Sequence, residues 1–145
     1  MKIKTLDQID ESQLDQLMII WLAGNLQAHH FVSAAFWRQN IPAVRAALPT
    51  AEITVALNDA DEMIGFMGIQ ENYLAGLFVM GKYQNQGVGH ALLATAQRQY
   101  PSLTLDAFQQ NKGAVRFYRR HGFEVTEQRL AEDTQQVEYQ MSWHN

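Results

Sequence analysis

The chain of 145 residues contains no cysteine. Disulfides, thiolate metal sites and a cysteine nucleophile are excluded, and with them any acyl transfer through a cysteinyl intermediate. No run of about 18 apolar residues is present, so no membrane-spanning helix is expected. Positive charge is scarce: 11 Lys and Arg stand against 15 Asp and Glu, leaving a net charge of −4. That balance argues against a general nucleic-acid binder. Internal repeats, linkers and low-complexity stretches are also missing, and at 47% hydrophobic the chain suits one domain over residues 1–145. Met1-Lys2-Ile3-Lys4-Thr5 lacks the apolar stretch of a signal peptide, which makes the cytoplasm the expected location.

Apolar periodicity sets out the elements that are present. Residues 2–6 alternate weakly as a short strand. From Asp10 or Ser12, the residues Leu14, Leu17, Met18, Trp21 and Leu22 follow helical spacing, with Gly24-Asn25 expected to end or bend the helix. Ser33 is a cap for a second helix carrying Phe36, Trp37, Val44 and Leu48, which Pro42 should kink or divide. Strands are expected at 52–57 and 63–70 around an acidic turn, then at 72–79, 102–107, 123–129 and 135–143. Helices are expected from Gly87 to about Tyr100 and from Asn111 to His121, the latter closed by Gly122. This order predicts an α/β domain with a mixed sheet.

The organising stretch is residues 72–93. An uncharged apolar run, Tyr73-Leu74-Ala75-Gly76-Leu77-Phe78-Val79, leads through a polar loop to Gln84-Asn85-Gln86-Gly87-Val88-Gly89-His90, where a helix begins. The first N–H groups of a helix lack internal partners and the helix dipole adds positive character there. Glycines at 87 and 89 let a phosphate come close to the backbone, although a tight turn into a surface helix needs no more than the same residues.

Gln84-x-x-Gly87-x-Gly89 after a Leu-Phe-Val strand resembles motif A of the GCN5-related N-acetyltransferase (GNAT) family, with Gly81 near where a loop proline is common. Asn111-x-x-Ala114-x-x-Phe117-Tyr118-x-x-x-Gly122-Phe123 resembles the C-terminal half of that family's signature. Ala28-His29-His30-Phe31 and Phe36-Trp37 are similar to a small bacterial subgroup. The resemblance implies a GNAT-type, mostly antiparallel central sheet of about 6–7 strands flanked by about 4 helices. It also implies acetyl transfer from acetyl-CoA to a primary amine. The cofactor-binding residues would be Leu77, Phe78, Val79, Gln84, Asn85, Gln86, Gly87, Val88, Gly89, His90 and Asn111. The strand is bulged in the family near Leu77, which frees an N–H for the thioester carbonyl.

Chemistry narrows the remaining roles. A lysine-like amine costs about 4.6 kcal/mol to deprotonate at pH 7, against about 1.4 for an α-amine. Asp106, at a position where the resemblance implies a base, is the first candidate base, followed by Glu71 and then His29 or His30. By resemblance Tyr118 is the proton donor to the leaving thiolate. With no cysteine, direct attack in a ternary complex is expected. The resemblance implies that the first two helices flank the acceptor, which puts His29, His30 and Trp37, with Phe36 and Arg38, on the acceptor side; the acceptor is expected to be a small-molecule or protein amine. Lys112, Arg116, Arg119 and Arg120 are either cations for the cofactor or a solvated helix face; Lys82 is a further cation beside motif A.

Other classes fit less well. A dinucleotide fingerprint lacks its third glycine, a P-loop lacks Gly-Lys-Ser/Thr, and adjacent histidines form no zinc motif, so no metal is expected. The rival from another class is a non-catalytic acyl-CoA sensor or partner-binding module on the same fold. No nucleic-acid or membrane partner is expected, and the chain is read as a monomer or homodimer.

Overall fold

A computed structural model describes residues 1–145. Its elements in order are β1 (Lys2–Thr5), α1 (Glu11–Ala28), α2 (Ala34–Gln39), α3 (Ile41–Ala47), β2 (Glu52–Leu57), β3 (Met63–Gln70), β4 (Tyr73–Val79), α4 (Val88–Gln99), β5 (Ser102–Phe108), α5 (Lys112–Arg120), β6 (Glu124–Ala131) and β7 (Gln136–His144). Short 3-10 turns at Leu48–Thr50 and Gly81–Tyr83 complete it. One seven-stranded sheet runs β1-β2-β3-β4-β5-β7-β6. Every neighbouring pair is antiparallel except β4 and β5. This is the α/β architecture implied by the GNAT resemblance.

Local chemistry accounts for the helix limits. Asp10 and Gln13 form a reciprocal capping box at the start of α1, with bonds of 2.8 and 3.0 Å. Ser33 caps α2 by accepting from the Phe36 N–H at 3.3 Å. The expected second helix is divided at Asn40, and Pro42 sits in the first turn of α3, where its missing N–H costs nothing. That division gives five helices instead of about four.

Gly24-Asn25 does not end α1, which continues to Ala28. Both residues are there for packing. A Cβ on Gly24 would lie 2.9 Å from the Phe78 ring. Asn25 is only 3% exposed and donates to the Trp21 carbonyl at 3.0 Å.

Two apolar layers sandwich the sheet. On one face Leu17, Trp21 and Trp37 pack against Ile53, Val55 and Phe66. On the other, Leu92, Leu93 and Val115 pack against Leu103, Leu105 and Met141. Each such side chain contributes about 1.5–3 kcal/mol by burial, which holds both helix layers against the sheet and fixes what lies between them. The sheet has one gap. β4 and β5 are in register only at Tyr73 and Thr104, beside a bond from the Thr104 N–H to the Asn72 carbonyl at 3.0 Å. Beyond that point the strands diverge and leave a slot.

Candidate functional site

The slot is built from backbone. The Met80 N–H bonds to the Ile64 carbonyl at 2.9 Å, which fixes the phase of the β3–β4 ladder. Ladder bonds in an antiparallel pair alternate, so Phe78 and Gly76 face β3 while Leu77 and Val79 turn their N–H and C=O groups into the slot. The register also shifts between Gly68 and Ile69, where Ala75 is the extra residue of a bulge on β4.

At the end of the slot, the Gln84 side chain donates to the Val79 carbonyl at 3.2 Å and so ties the loop to the strand. The backbone N–H groups of Asn85, Gln86, Gly87, Val88, Gly89 and His90 then make no hydrogen bond within the protein; Ala91 is the first of the helix to do so, to the Gly87 carbonyl at 3.0 Å. Asn85 (φ 62°) and Gly87 (φ 83°) are left-handed, and such turns gather successive N–H groups into an anion-binding concavity. Gly89 is different: its φ is ordinary, and a Cβ there would meet Phe117 at 3.4 Å and Leu77 at 3.6 Å. A larger side chain would fill the groove.

The groove has a volume of about 600 Å³ and is lined by Gln84, Asn85, Gly87–His90, Asn111 and the outer ends of Phe117, Arg120 and His121. Of the four cations on α5, only Arg120 lines it. Lys112, Arg116 and Arg119 face a different depression with Gln109, Gln110 and Tyr139. Lys82 lies over the Tyr83 ring, 5.4 Å from its centre. Gln86 donates to the Lys82 carbonyl at 3.0 Å and adds its amide to the concavity, not its side chain to the groove. His90, expected from sequence, has a partner that sequence reasoning missed. His121 Nδ1 donates to the Phe117 carbonyl at 2.8 Å, so its Nε2 accepts from His90 Nδ1 at 2.8 Å.

A cavity of about 330 Å³ opens on the other side of the slot. The two spaces share Leu77, Asn111 and Ala114. Trp21, Phe36, Trp37, Phe78 and Phe108 form its aromatic wall. Phe78 thus lines the cavity and not the groove. Its ring is seated over two glycines: a Cβ on Gly76 would lie 2.5 Å from it, as one on Gly24 would lie 2.9 Å.

Asn111 caps α5 by accepting from the Ala114 N–H at 3.2 Å, and its amide donates to His29 Nε2 at 3.0 Å. His29 Nδ1 in turn donates to Asn25 at 3.0 Å. Both ring nitrogens are committed, and burial lowers the His29 pKa to about 4. His29 is thus neutral at pH 7, a fixed strut of the cavity wall stacked on Trp37. Neighbouring His30 is exposed and lines neither space.

Tyr118 projects into the cavity without a hydrogen bond to protein, and burial pushes its phenol well above the ordinary value of 10. Asp106 also lines the cavity, but its carboxylate is occupied: it accepts from the Tyr73 hydroxyl at 2.9 Å and pairs with Arg129 at 3.2 Å. Glu71 stands on the exposed turn between β3 and β4, outside the cavity. Three lining residues had no signal in any motif: Asp133, Thr134 and Glu138. Strand alternation puts Glu138 with Gln136 and Gln140 on one face of β7, but only the strand order sets that face beside Asp106. Two buried polar atoms at this cavity have no partner, Trp37 Nε1 and Thr134 Oγ1; Trp37 is only 8% exposed. Such groups are costly unless an occupant completes them.

The acetyltransferase (GNAT) domain model matches residues 20–142. The chain is 34% identical over 138 residues to the peptidyl-lysine N-acetyltransferase YiaC of Escherichia coli, covering 94% of each. It is 35% identical over 112 residues to the peptidyl-lysine N-acetyltransferase YjaB of the same organism, covering 77% of this chain and 76% of YjaB. The solution structure of apo YjaB superposes with a TM-score of 0.83 at 29% identity over 99% of this chain and 98% of that one. The PaiA N-acetyltransferase of Thermoplasma acidophilum, in complex with coenzyme A, shares the fold at a TM-score of 0.75 and 17% identity, with each chain fully covered (100%).

Proposed function

The chain belongs to the GNAT acetyltransferase family and moves an acetyl group from acetyl-CoA to an amine, and we propose that this amine is a lysine side chain of a protein or peptide. One observation carries the reading: the amide-lined slot opens into an aromatic cavity that holds Asp106, Asp133 and Glu138. An aromatic wall suits the apolar stem of lysine, and carboxylates suit its ammonium. The names of YiaC and YjaB point the same way.

In this reading, the free amides from Asn85 to His90 and the Arg120 guanidinium hold the diphosphate of acetyl-CoA. Leu77 and Val79 present slot-facing groups that pair with the amides of the pantetheine arm as an added strand would. The Leu77 N–H is the oxyanion donor, a kind of contact worth about 2.7–4 kcal/mol where measured in another enzyme. The acceptor nitrogen attacks the thioester carbonyl directly, since the chain has no cysteine to carry the acetyl group. Tyr118 stays protonated in its buried setting and donates to the departing sulfur. Asp106 holds Tyr73 and Arg129 at the cavity mouth.

The test is thiol release from acetyl-CoA with a lysine peptide, a polyamine, an aminoglycoside and a free amino acid, with mass spectrometry locating the new acetyl group. Turnover on the peptide at Nε supports the reading. Preferential turnover of a free small amine would overturn it.

A further inference from the structure

The three carboxylates of the acceptor cavity differ in what surrounds them. Asp106 on β5 is held by Tyr73 and Arg129, at 2.9 and 3.2 Å. Asp133 stands exposed on the β6–β7 turn, where water solvates it. Glu138 on β7 lies opposite Phe108 of β5 and Arg129 of β6. It is partly buried, and its carboxylate has no hydrogen-bond donor and no ion-pair partner. Arg129 reaches instead to Asp106 at 3.2 Å and Glu127 at 4.0 Å.

We infer that Glu138 accepts the proton from the acceptor ammonium before attack. The inference rests on the lysine reading above, because only a strongly basic amine brings such a proton. Its neighbours leave no rival. His29, at the end of α1, is neutral with both nitrogens committed. The phenols of Tyr73 on β4 and Tyr118 on α5 remain protonated at neutral pH, both pushed up by burial. Desolvation, then Asp106 and Asp133, raises the Glu138 carboxyl above its usual range, with Arg129 opposing. A carboxylate with raised proton affinity lies closer to an ammonium, so the transfer is less uphill than to an ordinary glutamate.

The step balances. The ammonium passes one proton to the Glu138 carboxylate and becomes a neutral amine. Its lone pair forms the C–N bond, and the C–S bond breaks with its electron pair on sulfur. The second nitrogen proton replaces the one Tyr118 gives to the thiolate. Glu138 returns its proton to water when the product leaves.

Glu138→Gln and Asp106→Asn are compared on a lysine peptide and on trifluoroethylamine, which is already neutral at pH 7. Glu138→Gln is expected to lower kcat on the peptide by about 100-fold or more, to move the acidic limb of its kcat/KM profile up toward the pKa of the peptide amine itself, and to cost less than threefold on trifluoroethylamine. Its coenzyme A affinity by calorimetry should match that of the unaltered protein. Asp106→Asn should keep the acidic limb. An acidic limb left at its original midpoint in Glu138→Gln, or equal losses on both amines, overturns the inference. Failure of the lysine reading looks different: the unaltered protein would prefer a free small amine to the peptide, whereas failure of the inference shows only in the Glu138→Gln comparison.

Discussion

The proposed cofactor groove and the proposed acceptor cavity meet at Leu77 and Asn111, yet they are made of different material. The groove is made chiefly of main chain: free N–H groups over 85–90, the slot-facing edge of β4, and two glycines that keep side chains out. The cavity is made of side chains from α1, α2, β4, β5, α5 and the β6–β7 hairpin. A main-chain site follows from local conformation and leaves a short local signature. A side-chain site follows from which strands become neighbours, and its members are scattered along the chain.

The sharpest way to break this division is at Tyr118, the proposed proton donor, which lines the cavity beside the shared boundary. Tyr118→Phe should lower kcat by about 100-fold or more while coenzyme A affinity stays within twofold by calorimetry. Comparable activity in the variant would remove the proton-donor role. On the groove side, Gly89→Val should weaken coenzyme A binding at least tenfold, about 1.4 kcal/mol, because its γ-carbons extend past a Cβ that already touches Phe117 and Leu77. Full affinity would place the phosphates elsewhere.

Gly76→Ala attacks the cavity side alone. The new methyl displaces the Phe78 ring, which should cost about 1–3 kcal/mol in denaturant unfolding and raise KM for the acceptor more than for acetyl-CoA. A larger change in cofactor affinity would erase the distinction between the two spaces. The smallest effect is expected at the strut between them. The folded pKa of His29 is near 4 against an ordinary 6.5. The unfolded chain binds this proton first, so stability is lost as pH falls from about 6.5 toward 4. Over pH 7 to 4.5 the unaltered protein should lose about 1–2 kcal/mol more than His29→Gln, the range allowing for partial solvent screening. Parallel curves would show that His29 does not titrate in this way.

The same division explains what could be read from the residues. Gly87 and Gly89 after a Leu-Phe-Val strand locate the groove, since the glycines, the helix start and the loop are contiguous. The strands and the break at Pro42 follow from alternation and from a missing N–H. Gly24-Asn25 has the composition of a helix end, but the Phe78 ring from a distant strand is what requires the glycine. The basic residues of α5 share a short segment but not a face, so only Arg120 reaches the groove. In the sequence Glu71 stands at the start of the central strand, and Asp106 ends the strand before Asn111 at a position where the family resemblance implies a base. One is carried outward by a hairpin turn, and the other is occupied by Tyr73 and Arg129. Glu138 had no motif to mark it, because its significance depends on β7 lying between β5 and β6.

The parting of β4 from β5 after Tyr73 and Thr104 also bears on mechanical behaviour. Seven strands amount to two stiff boards, one of four and one of three, joined by a single stitch. An amide-bearing arm laid along the seam becomes the missing row of stitches. If the proposed cofactor binds there, it acts as mortar as well as reactant, adding about 2.7 kcal/mol of cohesion at a hundredfold excess over its Kd.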